Sequence, residues 1–313
     1  MHKYKVNCII INFVLIFHSL LYDWSFELKE NMLYYCYYQV LILGDSFLPI
    51  EEAIMEDLLK LKGKNIVVMG VANERSIAWG VAKSLFEVGA NVIFTYRKER
   101  SLAKLEKALE SNGLEPKMIV QCDVNEDESI QHAFTLIGET LGTIHGVVHS
   151  IAFAHAEDLR NDFVETSRSG YAFAQDSSAY SLVATAREAR RYMTEGGSII
   201  TMSYLGAERV LDGYNVMGVA KAALEASVKY LANDLGKEAI RVNAISAGAV
   251  RTLSAKGVPS FNTILGQIEE KAPLRRNITN EEVAKMSIAM LSDLSSGVTG
   301  EIIYVDGGYN IMG

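Results

Sequence analysis

Asn65-Ile-Val-Val-Met69-Gly70-Val-Ala-Asn-Glu-Arg-Ser76-Ile77-Ala-Trp-Gly80 joins a short apolar run to an amphipathic stretch through a loop that begins with glycine. A run this short, rich in Ile and Val and closed by Gly70, predicts a buried strand over 65–69. Gly70 allows a tight turn. Ser76 is placed to cap a helix over 76–88, with Gly89 just past its end as a stop signal. The N-terminus of such a helix suits a pyrophosphate. The complete G-x-G-x-x-G fingerprint is absent, so the loop alone reads equally as a capped strand–helix turn.

The same alternation continues outward. Strands are expected over 91–95, 117–122, 146–149, 198–202, 241–245 and 302–305. Helices are expected over 101–111, 126–141, 167–193 and 214–235. Short apolar runs separated by helical stretches define an α/β fold: one doubly wound, Rossmann-like parallel-sheet domain of about seven strands, with helices on both faces. In such a sheet, ligands bind at the carboxyl ends of the strands, where strand order reverses.

The chain has 313 residues, 49% hydrophobic and 22% charged, with a net charge of -8. It can bury a full core, and its acidity without a basic stripe argues against nucleic acid as a partner. Cys8, Cys36 and Cys122 form neither a metal-ligand spacing nor a disulfide framework, which points to a reducing, cytoplasmic setting and no metal. Residues 1–54 differ in composition from the rest, and Gly44 is their only glycine. Their apolar stretch is interrupted by Asn12 and His18 and is short for a membrane span. The expectation is a non-native or disordered extension from an upstream start, with Met55 as the initiator and 55–313 as the single domain.

Candidate chemistry centres on Tyr214 and Lys221. Seven positions apart, they lie nearly on one line of a helix. An ammonium beside a phenol would lower the phenol's pKa and could hold a cofactor sugar. Tyr204 lies just upstream. At the end of the second strand, Thr95-Tyr96-Arg97-Lys98-Glu99-Arg100-Ser101 brings two adjacent cations with no acid before them. Arg97 can fork onto a 2′-phosphate and Lys98 can add a point charge, which favours NADPH over NADH. Asp123 and Val124, after the third strand, suit an adenine ring, although a strand-end Asp serves equally as a helix cap. Ser150-Ile151-Ala152 would border the nicotinamide.

These pieces together resemble the short-chain dehydrogenase/reductase superfamily, and more narrowly the NADPH-dependent enoyl-acyl-carrier-protein reductases of bacterial fatty acid synthesis. The resemblance spans about 61–305. It rests on Ser76-Ile77, His149-Ser-Ile-Ala-Phe-Ala154, Tyr204-Leu-Gly206, Tyr214 with Lys221, and Arg251-Thr-Leu-Ser-Ala255. Ordinary members space Tyr and Lys four apart and use an upstream serine. Here Gly218 stands four after Tyr214, and the longer spacing with Tyr204 marks the enoyl reductase branch. One departure is Ala249, where proline is usual.

The resemblance implies reduction of a trans-2-enoyl thioester carried on acyl carrier protein, by a homotetramer. Tyr214 would face the enolate oxygen, and Lys221 would chiefly hold the nicotinamide ribose. Tyr204 would either help donate the proton or wall the pocket. Gly70, Ser76, Ile77, Arg97, Lys98, Glu99, Arg100, Ser101, Asp123, Val124, Ile151, Lys221, Val250, Arg251, Thr252, Leu253 and Ser254 would contact the cofactor. Phe153, Ala154, Met217, Val258, Phe261 and Ile264 would line an acyl slot, with 252–271 either a mobile lid or a plain core helix. Arg251 and Lys256 are candidates for a basic rim facing the carrier protein. Two rivals stand beside this reading: a 3-ketoacyl or other short-chain reductase with Ser203 polarising a carbonyl, and a non-catalytic NADPH-sensing module.

Overall fold

β1 (Asn65–Met69) is buried along its whole length, as a central strand covered on both faces must be. Period-two alternation sorts its side chains. Ile66 and Val68 join Val92, Phe94, Val148 and Ile200 in one apolar layer. Val67 and Met69 join Ile93, Val147, Ile199 and Val242 in the opposite layer. The structure, a computed structural model, describes residues 58–252 and 261–313. The expectations for residues 1–54, Met55, Leu253, Ser254, Lys256 and Val258 lie outside the described residues. Phe261 begins a helix, but its side chain is likewise outside them.

The strands are β1, β2 (Asn91–Tyr96), β3 (Met118–Gln121), β4 (Gly146–His149), β5 (Gly197–Ser203), β6 (Ile240–Ala247) and β7 (Ile302–Val305). They form one sheet in the order β3-β2-β1-β4-β5-β6-β7, parallel throughout. Helix α1 (Ile77–Glu87) packs on the first layer with Val81, Ala82 and Leu85, while α2 (Glu99–Asn112) adds Leu105. The second layer is covered by α3 (Asp127–Leu141), through Ile130, Phe134 and Ile137. The order reverses between β1 and β4, so the crevice above their carboxyl ends is the place for a ligand.

The fold differs from the sequence expectations at two places. The helix expected over 167–193 is three pieces: α4 (Arg168–Gln175), a wide π turn (Asp176–Tyr180) and α5 (Ser181–Ala189). The wide turn shifts the helical phase and carries Ser177, Ser178 and Ser181 into the interior. There Ser178 Oγ bonds the backbone N and O of Phe153, and Ser181 Oγ reaches His149. The second correction concerns Ser76. It occupies the N-cap position of α1 without a side-chain cap bond, because its hydroxyl donates backwards to the Asn73 carbonyl at 2.6 Å. Ser76 therefore ties the loop to itself through its side chain, while its carbonyl accepts from the Trp79 and Gly80 amides of α1.

The chain continues through α6 (Asn215–Leu235), α7 (Phe261–Lys271) and α8 (Asn280–Leu291). A reciprocal capping box between Thr279 and Glu282 starts α8. Leu224, Val228 and Leu235 of α6 complete the second layer. Leu265 and Ile268 of α7 form a small separate cluster with Ala249 and Ala272. Over 261–271, then, the stretch expected to be a lid or a core helix is a helix with a buried face. Ile264 packs beside that cluster.

Candidate active site

Gly70 ends β1 with φ +93° and crosses directly beside β4. A Cβ there would lie 2.0 Å from the Ser150 carbonyl oxygen. Only glycine satisfies both the left-handed backbone and this approach, and the crossing sits at the switch point itself. Ile151 packs against the second layer and Ile77 against the first. The two residues thus pack against opposite apolar layers of the sheet.

The aromatic pair is assembled by glycines on two elements. The β5 end leads through Tyr204 into a short 3-10 turn (Leu205–Ala207), and Tyr214 immediately precedes α6. A Cβ on Gly206 would lie 2.3 Å from the Tyr214 ring, and one on Gly218 2.7 Å from the Gly206 carbonyl oxygen. Without these side chains the turn and the helix close together. The Tyr204 and Tyr214 rings then meet edge to face, centroids 5.0 Å apart at 71°. Asn215, at φ +39°, donates its amide to the carbonyls of Leu159 and Asn161, which anchors the start of the helix.

Lys221 is buried, and its ammonium donates to the Met202 carbonyl at 2.6 Å. Burial pushes its pKa down to about 8, opposed by the negative charge of Glu225. The expectation that an adjacent ammonium lowers the phenol's pKa is corrected. Burial first, then the charges of Tyr204 and Glu225, push Tyr214 well above the ordinary phenol range. Tyr204 is pushed up to about 12 by burial and by Tyr309. Both phenols therefore stay protonated at neutral pH, as hydrogen-bond donors must.

Four residues with no role in the preferred reading complete the centre: Ser203, named only for the rival reductase, His149, quoted only within a motif, and Glu225 and Tyr309, which were not named. Ser203, between Met202 and Tyr204, donates its hydroxyl to Glu225 Oε1 at 2.5 Å. Burial raises the Glu225 pKa, while the Ser203 bond and the charges of Lys229 and Lys221 lower it. His149, fully buried, contacts Thr201 Oγ1 and Ser181 Oγ, each at 2.9 Å. Burial and then the Lys221 charge hold its pKa at about 3, so the imidazole is neutral. Tyr309 was missed because it lies 95 positions from Tyr214, outside any local pattern. The only sequence signal for Glu225 was its place one helical turn after Lys221.

At the other end of the crevice, Arg97 leaves β2 and its Nε donates to Asp123 Oδ2 at 2.7 Å. Asp123 Oδ1 accepts from the backbone and side-chain amides of Asn125. Lys98 is exposed at the N-cap position of α2, followed by Glu99, Arg100 and Ser101 in its first turn. Val124 is buried. After β6, Val250, Arg251 and Ala249 line a cavity of about 390 Å³ with Glu74 and Arg75, and the Thr252 backbone N bonds the Val250 carbonyl. Arg251 reaches Asn262.

Of the expected acyl-slot residues, Met217 is buried and Ala154 half-buried. Phe153 is 49% exposed and stacks edge-on with His155 and Phe173. Cys122 is a free, buried thiol, pushed up to about 12 by burial and by Asp123. A buried thiol held protonated in this way is a poor nucleophile.

A parallel sheet of this order, with a tyrosine and a buried lysine beside the β5 end and a glycine crossing at the switch point, defines the short-chain dehydrogenase/reductase class. Comparison with known proteins narrows the class. The family profile of Enoyl-(Acyl carrier protein) reductase matches residues 70–310. An enoyl-[acyl-carrier-protein] reductase [NADH] of Bacillus cereus is 59% identical over 256 residues, 81% of this chain and 99% of the relative. The [NADPH] enzyme of Staphylococcus aureus is 58% identical over 255 residues, 82% of this chain and 100% of the relative. A crystal structure of the Bacillus cereus reductase with NADP+ and indole naphthyridinone superposes with a TM-score of 0.79 at 58% identity, covering 81% of this chain and 98% of that one. The chain belongs to the enoyl-acyl-carrier-protein reductase family.

Proposed function

We propose that this protein reduces the double bond of a trans-2-enoyl thioester on acyl carrier protein, the closing step of fatty acid elongation, and takes NADPH in preference to NADH. The observation that carries the reaction assignment is the engagement of Ser203. Its hydroxyl is donated to Glu225 inside the protein, so the site presents two phenols where a ketone reductase would present a serine. The relatives named above carry the same activity in their names.

The residues present fit a nicotinamide cofactor. Gly70 keeps the crevice floor clear of side chain where the β1 and β4 ends cross. Gly70, Ser76, Ile77, Ile151 and Val250 with Arg251 and Thr252 would hold its pyrophosphate and nicotinamide ends, Lys221 its nicotinamide ribose, and Asp123 with Val124 its adenine. Arg97 and Lys98, beside Glu99, Arg100 and Ser101, would receive a 2′-phosphate. When bound, the cofactor supplies a hydride to the β-carbon of the enoyl group.

Charge then develops on the thioester oxygen. Tyr214, kept protonated by its surroundings, donates a hydrogen bond to that oxygen and stabilises the enolate where it forms. Lys221 maintains a positive field beneath it, and a proton taken from solvent at the α-carbon completes the saturated thioester. Tyr204 packs against Tyr214 and walls the pocket, while Ala154 and Met217 line the acyl slot.

Relatives are named both NADH and NADPH, and the two cations after β2 support the NADPH reading. Assays of crotonyl and acetoacetyl thioesters with NADPH and with NADH separate the alternatives. Turnover of crotonyl thioester with lower KM for NADPH is expected. Reduction of only the acetoacetyl thioester would defeat the reaction assignment, and a preference for NADH would defeat the cofactor assignment. Among the described residues no helix is long and apolar enough to cross a membrane. We also place the activity in residues 55–313 of a cytoplasmic homotetramer, with α4, α5 and α6 at its interfaces. Activity of a chain starting at Met55 and its mass in solution test this.

A further inference from the structure

We propose that Asp123 sets how strongly this protein prefers NADPH, by holding and neutralising Arg97 in the absence of a 2′-phosphate. The inference rests on the reading of Arg97 as the 2′-phosphate contact and adds a residue that opposes it.

The geometry is direct. Arg97 follows β2 and Asp123 follows the neighbouring β3, strands paired so that Tyr96 lies opposite Gln121. The pleat and register bring the two side chains together at 2.7 Å through Arg97 Nε and Asp123 Oδ2. The backbone ties the same corner, with Gln121 Nε2 donating to the Arg97 carbonyl and the Cys122 amide to the Tyr96 carbonyl. Asp123 is held rigidly: Oδ1 accepts two bonds from Asn125, and the Asp123 amide donates to Ser129 Oγ. Arg97 is the more exposed partner, its side chain 45% exposed against 20% for Asp123.

Three consequences follow for a dinucleotide seated over this corner. The pair uses Arg97 Nε, so the terminal nitrogens remain the groups that a phosphate would meet. Those nitrogens belong to a cation whose charge is largely balanced by the carboxylate, and a dianionic phosphate approaching them also approaches Asp123. A 2′-hydroxyl carries no charge and suffers no such penalty. Asp123 therefore weakens NADPH relative to NADH, while its adenine contact serves both equally. The ratio of the two cofactors isolates the phosphate effect from any general loss of adenine binding.

The carboxylate is charged throughout the working range, since the Asn125 and Arg97 contacts outweigh partial burial and lower its pKa. Its influence on the pair is that of a partly exposed ion pair, softened by solvent, so a modest effect is the correct scale.

The test compares the affinities for NADPH and NADH, measured by fluorescence titration without thioester and expressed as a ratio, together with the ratio of the two kcat/KM values at saturating crotonyl thioester, in the full-length protein and in Asp123→Asn, Arg97→Ala and the double variant. Asp123→Asn is nearly isosteric and keeps one accepting oxygen for the Asn125 turn. It is expected to raise the NADPH:NADH ratio about two- to fivefold. Arg97→Ala should lower the ratio. In the double variant, removal of Asp123's charge should raise the ratio by less than it does with Arg97 present. If Arg97→Ala lowers the ratio but Asp123→Asn leaves it unchanged or lowers it, the role given to Asp123 is overturned and the Arg97 reading stands. If Arg97→Ala leaves the ratio unchanged, both are overturned. Far-ultraviolet circular dichroism and the melting temperature confirm that each variant is folded, and Asp123→Ser is the replacement if Asp123→Asn is not.

Discussion

Ser203 and Glu225 are joined by a 2.5 Å hydrogen bond from hydroxyl to carboxylate, although 22 positions separate them and they lie on different elements. The bond stands between the two residues flanking Ser203. Met202 gives its carbonyl to Lys221, and Tyr204 gives its ring to Tyr214. One end of β5 thus organises the lysine, the carboxylate and both phenols.

Lys221 should impose an alkaline limit on cofactor capture. Burial makes the folded protein hold this ammonium less tightly than water does, with a pKa of about 8. The charged form is present below that value and is lost as pH rises through it. A profile of kcat/KM for NADPH should fall above about pH 8, and Lys221→Met should be low and flat across the same range. A wild-type profile flat to pH 10 would contradict the role of the ammonium.

Glu225→Gln should move that limit to lower pH. The Glu225 carboxylate is the group that raises the Lys221 pKa against burial, so neutralising it leaves desolvation unopposed. The Ser203 hydroxyl retains an amide oxygen to bond. The expected result is a displacement of the alkaline limb toward neutrality with a preserved melting profile. An unmoved or more alkaline limb would show that the two groups do not communicate.

Gly206→Ala should impair turnover more than folding. The new methyl group would lie 2.3 Å from the Tyr214 ring, and the ring must move to admit it. A displacement of about 1 Å at a reacting group can cost on the order of 100-fold. Steady-state assays should show kcat reduced roughly 10- to 100-fold, with cofactor binding retained in fluorescence titration. Wild-type kcat would mean that the approach of the 3-10 turn to Tyr214 does not fix its position.

Much of the sheet was legible because each strand is a short, separate apolar run. β1, β4 and β7 coincide with the runs at 65–69, 146–149 and 302–305. β5 and β6 extend past their apolar runs into Ser203 and into Ser246-Ala247, where backbone pairing continues after the hydrophobic pattern ends. The break at Asp176–Tyr180 left no local signal, since a π turn preserves helix-forming composition while changing its phase. Ser76 carried the right signal for a cap, and a competing acceptor three residues back took its hydroxyl. Tyr204, Tyr214 and Lys221 were visible as residues. Their mutual orientation was not, because it depends on Met202, Gly206 and Glu225, which meet only through tertiary packing. The Arg97–Asp123 pair was hidden for the same reason: each side chain was read separately, and only the register of β2 against β3 brings them together.

The most direct test of the whole account is steady-state NADPH oxidation with a crotonyl thioester by Tyr214→Phe. The substitution removes one hydroxyl and keeps the ring against Tyr204 and Gly206. Loss of the donor that stabilises the enolate predicts a kcat lower by roughly 100- to 1,000-fold, with NADPH affinity retained. Turnover equal to that of the unaltered protein would contradict the assignment of Tyr214 and with it the mechanism derived from this site.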